Sequence, residues 1–262
     1  MGRVGTYFNK RLIVDTTMEE TIRNKPVITE TTFKESGECT NVILPYEKSE
    51  EIYVESLGEL RKKPVYSFLK RTFDIVVSFV CMLILAIPML IVAGCVVCTS
   101  KGGVFYFQER LGKDGKPFTL IKFRTMYTDA EAGGIRWCIT ENDERITKVG
   151  KVLRKYHIDE LPQLWCIFVG DMSFVGPRPE RECYYKEFEK YIHGFSERLK
   201  VVPGLTGIAQ IHDDFLMRPE LKIMYDVKYI KTRSLWNDFK ILFKTATFLM
   251  KKDRLIEGYR EK

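Results

Sequence analysis

Ile75 to Thr99, IVVSFVCMLILAIPMLIVAGCVVCT, is a run of 25 residues without a single charge. A stretch so long and apolar is sufficient for a membrane helix and is hard to accommodate as the buried helix of a soluble domain. Whether it crosses a bilayer turns on Pro88, which lacks a backbone N–H and kinks a helix. The proline leaves about 13 residues before it and about 11 after it, each roughly 16–20 Å long at 1.5 Å per residue. Neither half spans a hydrocarbon core of about 30 Å. Basic residues flank the run on both sides: Lys62, Lys63, Lys70 and Arg71 before it, Lys101, Arg110, Lys113 and Lys116 after it. Positive charge marks the cytoplasmic side, so both flanks are satisfied by a helix that enters, bends at Pro88 and leaves by the same face.

The remainder of the chain is of a different character. The 42 Lys and Arg against 35 Asp and Glu give a net charge of +7, which favours anionic partners without the charge density of a nucleic-acid tail. Seven Cys without repeating spacing, including Cys95 and Cys98 inside the apolar run, do not form a disulfide framework and imply a reducing compartment. The first 20 residues hold no continuous apolar core, so no secretory signal is expected. Met1-Gly2 with Thr6 matches the short myristoylation pattern, which also arises by chance.

The organisation follows from these contrasts. Residues 1–60, rich in Thr and Glu, lack periodicity and read as a polar, poorly ordered arm. Residues 61–101 form the basic flank and membrane segment, 102–254 a cytoplasmic domain, and 255–262 a tail. In the domain, Val104–Phe107 and Phe118–Phe123 around LGKDGK predict a small β-hairpin. Ile146, Val149, Val152, Leu153 and Tyr156 have helical spacing. A second helix is expected from DELPQLWCIFVG, with Asp159 placed to cap it and Pro162 in its first turn. Residues 180–200 and 220–231 are also expected to be helical, separated by the turn VVPGLTG. In the last helix, Leu235, Phe239, Leu242, Ala246 and Leu249 form an apolar stripe bordered by lysines, which suits either an interfacial membrane helix or a core-packed one. The fold class predicted is α+β and mostly helical, with a re-entrant helix-break-helix, interfacial amphipathic helices and the hairpin.

Few residues are arranged for chemistry. Three His, with no CxxC or HExxH pairing, make a zinc site improbable, and no Gly-x-Ser-x-Gly or Walker loop occurs. What remains is the pair Asp159-Glu160 at a helix start. Neighbouring carboxylates can act as a nucleophile on phosphorus and as a ligand for a hard cation such as Mg²⁺, although Asp and Glu are also ordinary residues of a helix N-terminus. Lys122, Arg124 and Arg154 supply cations nearby in sequence, and Arg178 stands between Pro177 and Pro179, which restrict its backbone and preorganise its guanidinium.

These residues carry a resemblance. KRTFD (70–74), the apolar run broken by Pro88, FQERLGKDGKPFTLIKFRTM (107–126), DELPQL (159–164), GDMSFVGPRP (170–179), PGLTGIAQ (203–210) and the ending YDVKYIKTRSLWNDFKILFKT occur in that order. From Lys70 to Met250 the chain thus resembles the bacterial sugar transferase family, the monotopic polyprenyl-phosphate phosphoglycosyl transferases. The resemblance implies a ping-pong enzyme at the cytoplasmic face of a bacterial membrane, beginning the assembly of a polysaccharide or glycan. Asp159 would be the nucleophile on the β-phosphorus of a UDP-sugar, releasing UMP, and Glu160 the Mg²⁺-binding partner. The sugar phosphate would then pass to undecaprenyl phosphate. Lys122, Arg124 and Arg154 would hold phosphates, and Pro177, Arg178 and Pro179 would meet the nucleotide.

Two features depart from the pattern: Gly102-Gly103 replaces the usual Gly-Pro, and IHDD (211–214) stands where relatives often have Asn-Gly-Arg, so no sugar preference carries over. With a polar arm in place of preceding spanning helices, the chain resembles a short form of the family. The partners implied are a UDP-sugar, undecaprenyl phosphate and membrane lipid, with no nucleic acid and with self-association left open. The rival reading is a catalytically inert, membrane-anchored scaffold that recruits glycosyltransferases, in which the acid pair only caps a helix. Intact carboxylates beside Arg154 and Arg178 weigh against it.

Overall fold

The computed structural model describes residues 51–132, 143–212 and 218–250. Most of the polar arm, part of the loop after Thr128, Asp213 and Asp214, the lysines at 251 and 252, and the tail lie outside the described residues.

The apolar run lies within α1, Pro64–Thr99, a helix of 36 residues with Pro64 in its first turn and Pro88 in its interior. The expected interruption at Pro88 is not a break in secondary structure. One missing N–H bends a helix without ending it when the flanking turns keep their bonds. One side of α1 lies along the globular body at helical spacing. Asp74 and Ser78 are buried first, then Cys81, Met82 and Leu85 meet one part of the core, and Met89, Val92, Ala93 and Val96 meet another. The other side, including Leu83, Ile84, Ile87, Leu90 and Ile91, is exposed. Among the described residues this is the one helix long and apolar enough to cross a membrane.

Polar contacts tie the start of α1 to the body. Asp74 accepts from the Phe174 amide (3.1 Å), and Lys70 donates to the Val175 carbonyl (3.0 Å) and to Asp238 (2.9 Å). Arg71 donates one Nη to the carbonyl of Ile167 and the other to that of Phe168, both at 2.7 Å. These carbonyls end the helix Gln163–Val169, so a cation there satisfies orphan acceptors and complements the helix dipole.

The remaining elements are short. β1 (Ile52–Tyr53) pairs in parallel with β5 (Ile192–His193). The hairpin is β2 (Phe105–Leu111) antiparallel to β3 (Pro117–Phe123), with Tyr106 opposite Lys122 and Gln108 opposite Leu120. α2 (Lys148–Lys155) is capped by Thr147, and α3 (Gln163–Val169) ends on Gly170 in the left-handed region. β4 (Ser173–Val175) runs parallel to β6 (Gly204–Thr206). α4 (Glu182–Phe188), α5 (Ile208–His212), α6 (Pro219–Thr232) and α7 (Leu235–Met250) complete the fold. It is α+β, dominated by helices, with three two-stranded sheets among the described residues. The segment before α1 packs Leu57 and Leu60 on the core, and Arg233 donates to the Arg61 carbonyl.

Two local expectations are corrected. Residues 180–200 are not one helix: after α4 the chain forms β5 and then a 3₁₀ turn, Phe195–Lys200, because Gly194 takes a left-handed conformation that a helix interior excludes. Asp159 does not cap α3, which starts later at Gln163; the acid pair occupies its own 3₁₀ turn, Ile158–Glu160. In α7, among the described side chains, Asp238 and Ile241 are buried, and Phe239 of the apolar stripe is half exposed beside exposed Trp236 and Phe243. Asp238 faces inward because it accepts from Lys70, Tyr66 and Tyr229.

Arg71→Lys keeps the charge but cannot reach two carbonyls with a planar fork. We expect a stability loss of about 1 kcal/mol, the order of one hydrogen bond, seen as a lower apparent Tm in detergent. An unchanged Tm would show that the α1–α3 tie carries no stability.

Candidate active site

Four segments converge on one cavity of about 530 Å³. β3 brings Lys122, and the chain after it Arg124 and Thr125. α2 brings Arg154 in its last turn. The loop after β4 brings Arg178. Between them, His157 adopts a left-handed conformation (φ 54°), which turns the chain out of α2 into the 3₁₀ turn holding Asp159 and Glu160. That conformation is uncommon for a residue with a side chain and marks a turn the surroundings enforce.

Glu160 Oε1 accepts from Lys122 Nζ at 2.6 Å and from Arg178 Nη2 at 2.5 Å. Burial alone would raise its pKa, but Arg178 and then Lys122 outweigh that and hold the carboxyl well below its ordinary range. Asp159, buried at 7% exposure, behaves oppositely. Burial is the largest influence and raises its pKa, Glu160 adds to the rise, and Lys122, Arg154 and His157 oppose it. Two adjacent carboxylates are thereby differentiated: one a clamped anion, the other less acidic and facing the cavity. Perturbed carboxylates in a cleft make this pair the candidate for acid-base or nucleophilic chemistry.

The flanking groups fall into two sets. Lys122, Arg154 and Arg178 line the cavity with the dyad, and Arg154 Nε donates to Thr125 Oγ1 at 2.9 Å. Arg124 also lines it, but its guanidinium is turned to the carbonyls of Ser100 (2.9 Å), Lys101 and Gly102. It ties the end of α1 to the cavity wall. Pro177 and Pro179 act through their carbonyls: Pro177 accepts from the Gly204 amide (2.8 Å) and Pro179 from Arg110 (3.0 Å). The Arg178 carbonyl accepts from Arg198 (2.8 Å), so the loop holding the guanidinium is bonded at each residue. Gly176 and Gly204 permit this packing, since a Cβ on either would run into backbone of the other segment.

Sequence reasoning missed part of the lining: Tyr106, Gln108, Arg145, Arg181 and Lys222, with Arg110, which had been considered only as a flanking charge. The alternation of Tyr106, Gln108 and Arg110 on a strand whose partner carries Lys122 was a usable signal. Nothing in the sequence linked Lys222, on α6, to the dyad. Among the described residues no group of three or more His, Cys, Asp or Glu could hold a metal ion. The dyad could therefore supply at most two carboxylate ligands, a number that suits Mg²⁺ completed by phosphate oxygens and water.

Residues 65–252 match the Bacterial sugar transferase family. The chain belongs to that family. It is 37% identical over 206 residues to the UDP-N-acetylgalactosamine-undecaprenyl-phosphate N-acetylgalactosaminephosphotransferase of Aeromonas hydrophila, covering 78% of this chain and 48% of the relative. It is 43% identical over 182 residues to the UDP-glucose:undecaprenyl-phosphate glucose-1-phosphate transferase of Klebsiella pneumoniae, covering 68% and 39%. With the protein of that same name from Escherichia coli K12 it shares 39% over 187 residues, covering 70% and 40%. The chain therefore spans less than half the length of these relatives.

The wall opposite the dyad yields a pH prediction. Burial would raise the pKa of Glu180, but Lys222, Arg110 and Arg198 lower it from 4.5 to about 2. Its folded value lies below its unfolded one, so its contribution to stability is complete above pH 4.5 and is lost as pH falls toward 2. Glu180→Gln should lower stability at neutral pH and flatten acid destabilisation between pH 5 and 3, measured by denaturant titration at each pH. An acid limb as steep as wild type would exclude Glu180 as a source of it.

Proposed function

We propose that this chain transfers a sugar 1-phosphate from a UDP-sugar to undecaprenyl phosphate through a covalent intermediate on Asp159. The observation that carries the reading is the buried dyad in a cation-lined cavity, with Glu160 clamped by Lys122 and Arg178 while Asp159 is not. An Asp159 oxygen attacks the β-phosphorus, a new P–O bond forms, and the bond to the oxygen bridging the α-phosphate breaks. UMP leaves with that electron pair. A phosphate oxygen of the lipid then attacks the same phosphorus and displaces Asp159, giving a diphosphate-linked sugar. Arg154, Lys122 and Arg178 balance charge on the phosphoryl oxygens. Glu160, with the substrate's phosphates, would hold Mg²⁺, which when bound neutralises phosphate charge. The names of the relatives support this reaction class and differ in the sugar, so the sugar is left open.

Asp159→Asn is isosteric and removes only the nucleophile. With labelled UDP-sugar and no lipid acceptor, the wild type should retain label covalently and the variant should not, with turnover reduced at least a hundredfold. A tenth of wild-type turnover in Asp159→Asn would refute the covalent route. Absence of UMP release from every UDP-sugar tried would instead favour the inert scaffold.

We further propose that α1 is re-entrant and holds the domain at the cytoplasmic face of a bacterial membrane. Support comes from its two ends, both tied to the same body: Lys70, Arg71 and Asp74 at one, Val96 and the carbonyls bound by Arg124 at the other. The exposed apolar side of α1, with Trp236, Phe239 and Phe243 of α7, supplies the lipid-facing surface. Single cysteines at Lys62 and Lys113, in a background without native Cys, should both react only with reagents that reach the cytoplasm. Labelling of position 62 from outside the cell would establish a span.

A further inference from the structure

Three alternate residues of β2, Tyr106, Gln108 and Arg110, line the cavity and form a hydrogen-bonded chain whose polarity is set from one end. Lys222 Nζ donates to Glu180 Oε1 at 2.8 Å, and Arg110 Nη1 donates to Glu180 Oε2 at 3.1 Å. Arg110 then donates Nε to Gln108 Oε1 at 2.8 Å, and its Nη2 donates to the same oxygen. A guanidinium has five donors and no acceptor, so Gln108 must turn its carbonyl oxygen toward Arg110. The other end of the amide is then the NH₂ group, and Gln108 Nε2 donates to the Tyr106 hydroxyl oxygen at 2.9 Å.

That last bond has a chemical consequence. The phenol oxygen receives a proton from Gln108, so its own O–H must donate elsewhere. Among the described residues that O–H donates to no side chain or backbone group. Tyr106 is 39% exposed, lies on the cavity wall and stands opposite Lys122 in the hairpin register. Lys122 in turn touches the dyad. Burial, followed by the charge of Glu131, raises the phenol pKa, so the proton is retained at neutral pH.

We propose that Tyr106 binds the sugar nucleotide, donating its hydroxyl proton to an oxygen of that substrate, and that Gln108 and Arg110 are positioning residues that keep this proton free. The assignment rests on the donor site proposed above. It concerns recognition of the donor and requires no covalent step at Tyr106.

The test uses the full chain in detergent and the UDP-sugar that wild type turns over, read by UMP release. Tyr106→Phe should raise KM for the UDP-sugar about tenfold, the worth of one hydrogen bond, with kcat within about twofold. The second variant separates polarity from packing. Gln108→Glu is isosteric, but a carboxylate accepts from both sides and so captures the Tyr106 proton. It should raise KM to the same extent although the tyrosine is intact, and the double variant should be no worse than either single one. A purely structural role predicts independent losses that multiply.

An unchanged KM in Tyr106→Phe, or a double variant about a hundredfold weaker than wild type, overturns the proposal. The UMP inhibition constant locates the contact: weakening in step with KM puts the oxygen on the nucleotide half, and no change puts it on the hexose half, each in accord with a binding role. Failure here is distinct from failure of the covalent route. If wild type traps labelled sugar phosphate and Tyr106→Phe binds normally, only this assignment falls. If no adduct forms but Tyr106→Phe still raises KM, only the aspartyl intermediate falls.

Discussion

One carboxylate oxygen, Oε1 of Glu160, joins three segments that are distant in the chain. Lys122 reaches it from a hairpin strand and Arg178 from a loop 18 residues further on than the dyad. In a partly dehydrated cavity such charges attract more strongly than in water, but each is also costly to bury alone. Deleting one partner of a buried ion pair typically costs about 3–5 kcal/mol because a charge is left uncompensated. The arrangement is therefore mutually dependent: hairpin, dyad turn and Arg178 loop must be in place together. It also separates two carboxylates adjacent in sequence, since Glu160 takes the cations at closest range while burial raises the proton affinity of Asp159.

The Arg178 guanidinium can act as a fixed partner because its backbone is fixed. The carbonyls of Pro177, Arg178, Pro179 and Glu180 accept from Gly204, Arg198, Arg110 and Leu111 in turn. Proline removes N–H groups that would need partners, and restricts the φ angles of a loop with little secondary structure. Arg198 adds a deeper tie, since its side chain is fully buried and pairs with Asp226 of α6 at 2.7 Å. Through Arg110 and Lys222 the same loop is joined to the Tyr106 wall of the cavity. The Tyr106 wall and the acid-pair geometry thus share one set of supports.

The apolar helix is attached by its few polar atoms. Asp74 and Ser78 are buried in α1, whereas most of its large aliphatic residues are exposed. This inverts the usual distribution of a globular helix, and the inversion has a direct cause. The body-facing side donates from Lys70 and Arg71 to acceptors of β4, α3 and α7 and accepts through Asp74 from the Phe174 amide, and the opposite side meets none of the described residues. Arg124 closes the far end by binding the carbonyls just beyond α1, so the apolar helix and the cavity wall are mechanically continuous.

Much of this was legible in the residues themselves. The uncharged run, the hairpin around Gly112–Gly115, the helix carrying Arg154 and the one starting near Ser234 are local consequences of hydropathy period and turn chemistry. The family words grouped Asp159, Glu160, Lys122, Arg154 and Arg178, and the structure brings all five to one cavity. What the sequence could not supply was direction. A strand pattern shows that Tyr106, Gln108 and Arg110 share a face, but not that the face meets Lys222 of a helix more than 100 positions away. Arg124 and Arg154 read alike as cations, yet one turns to backbone carbonyls and the other to a cavity threonine. Asp238 is buried by Lys70 and two tyrosines, which no local pattern announces. Local period is set by neighbours within a turn or a strand, and so is written in the sequence. Which donor meets which acceptor depends on segments brought together by packing, and only the tertiary structure decides it.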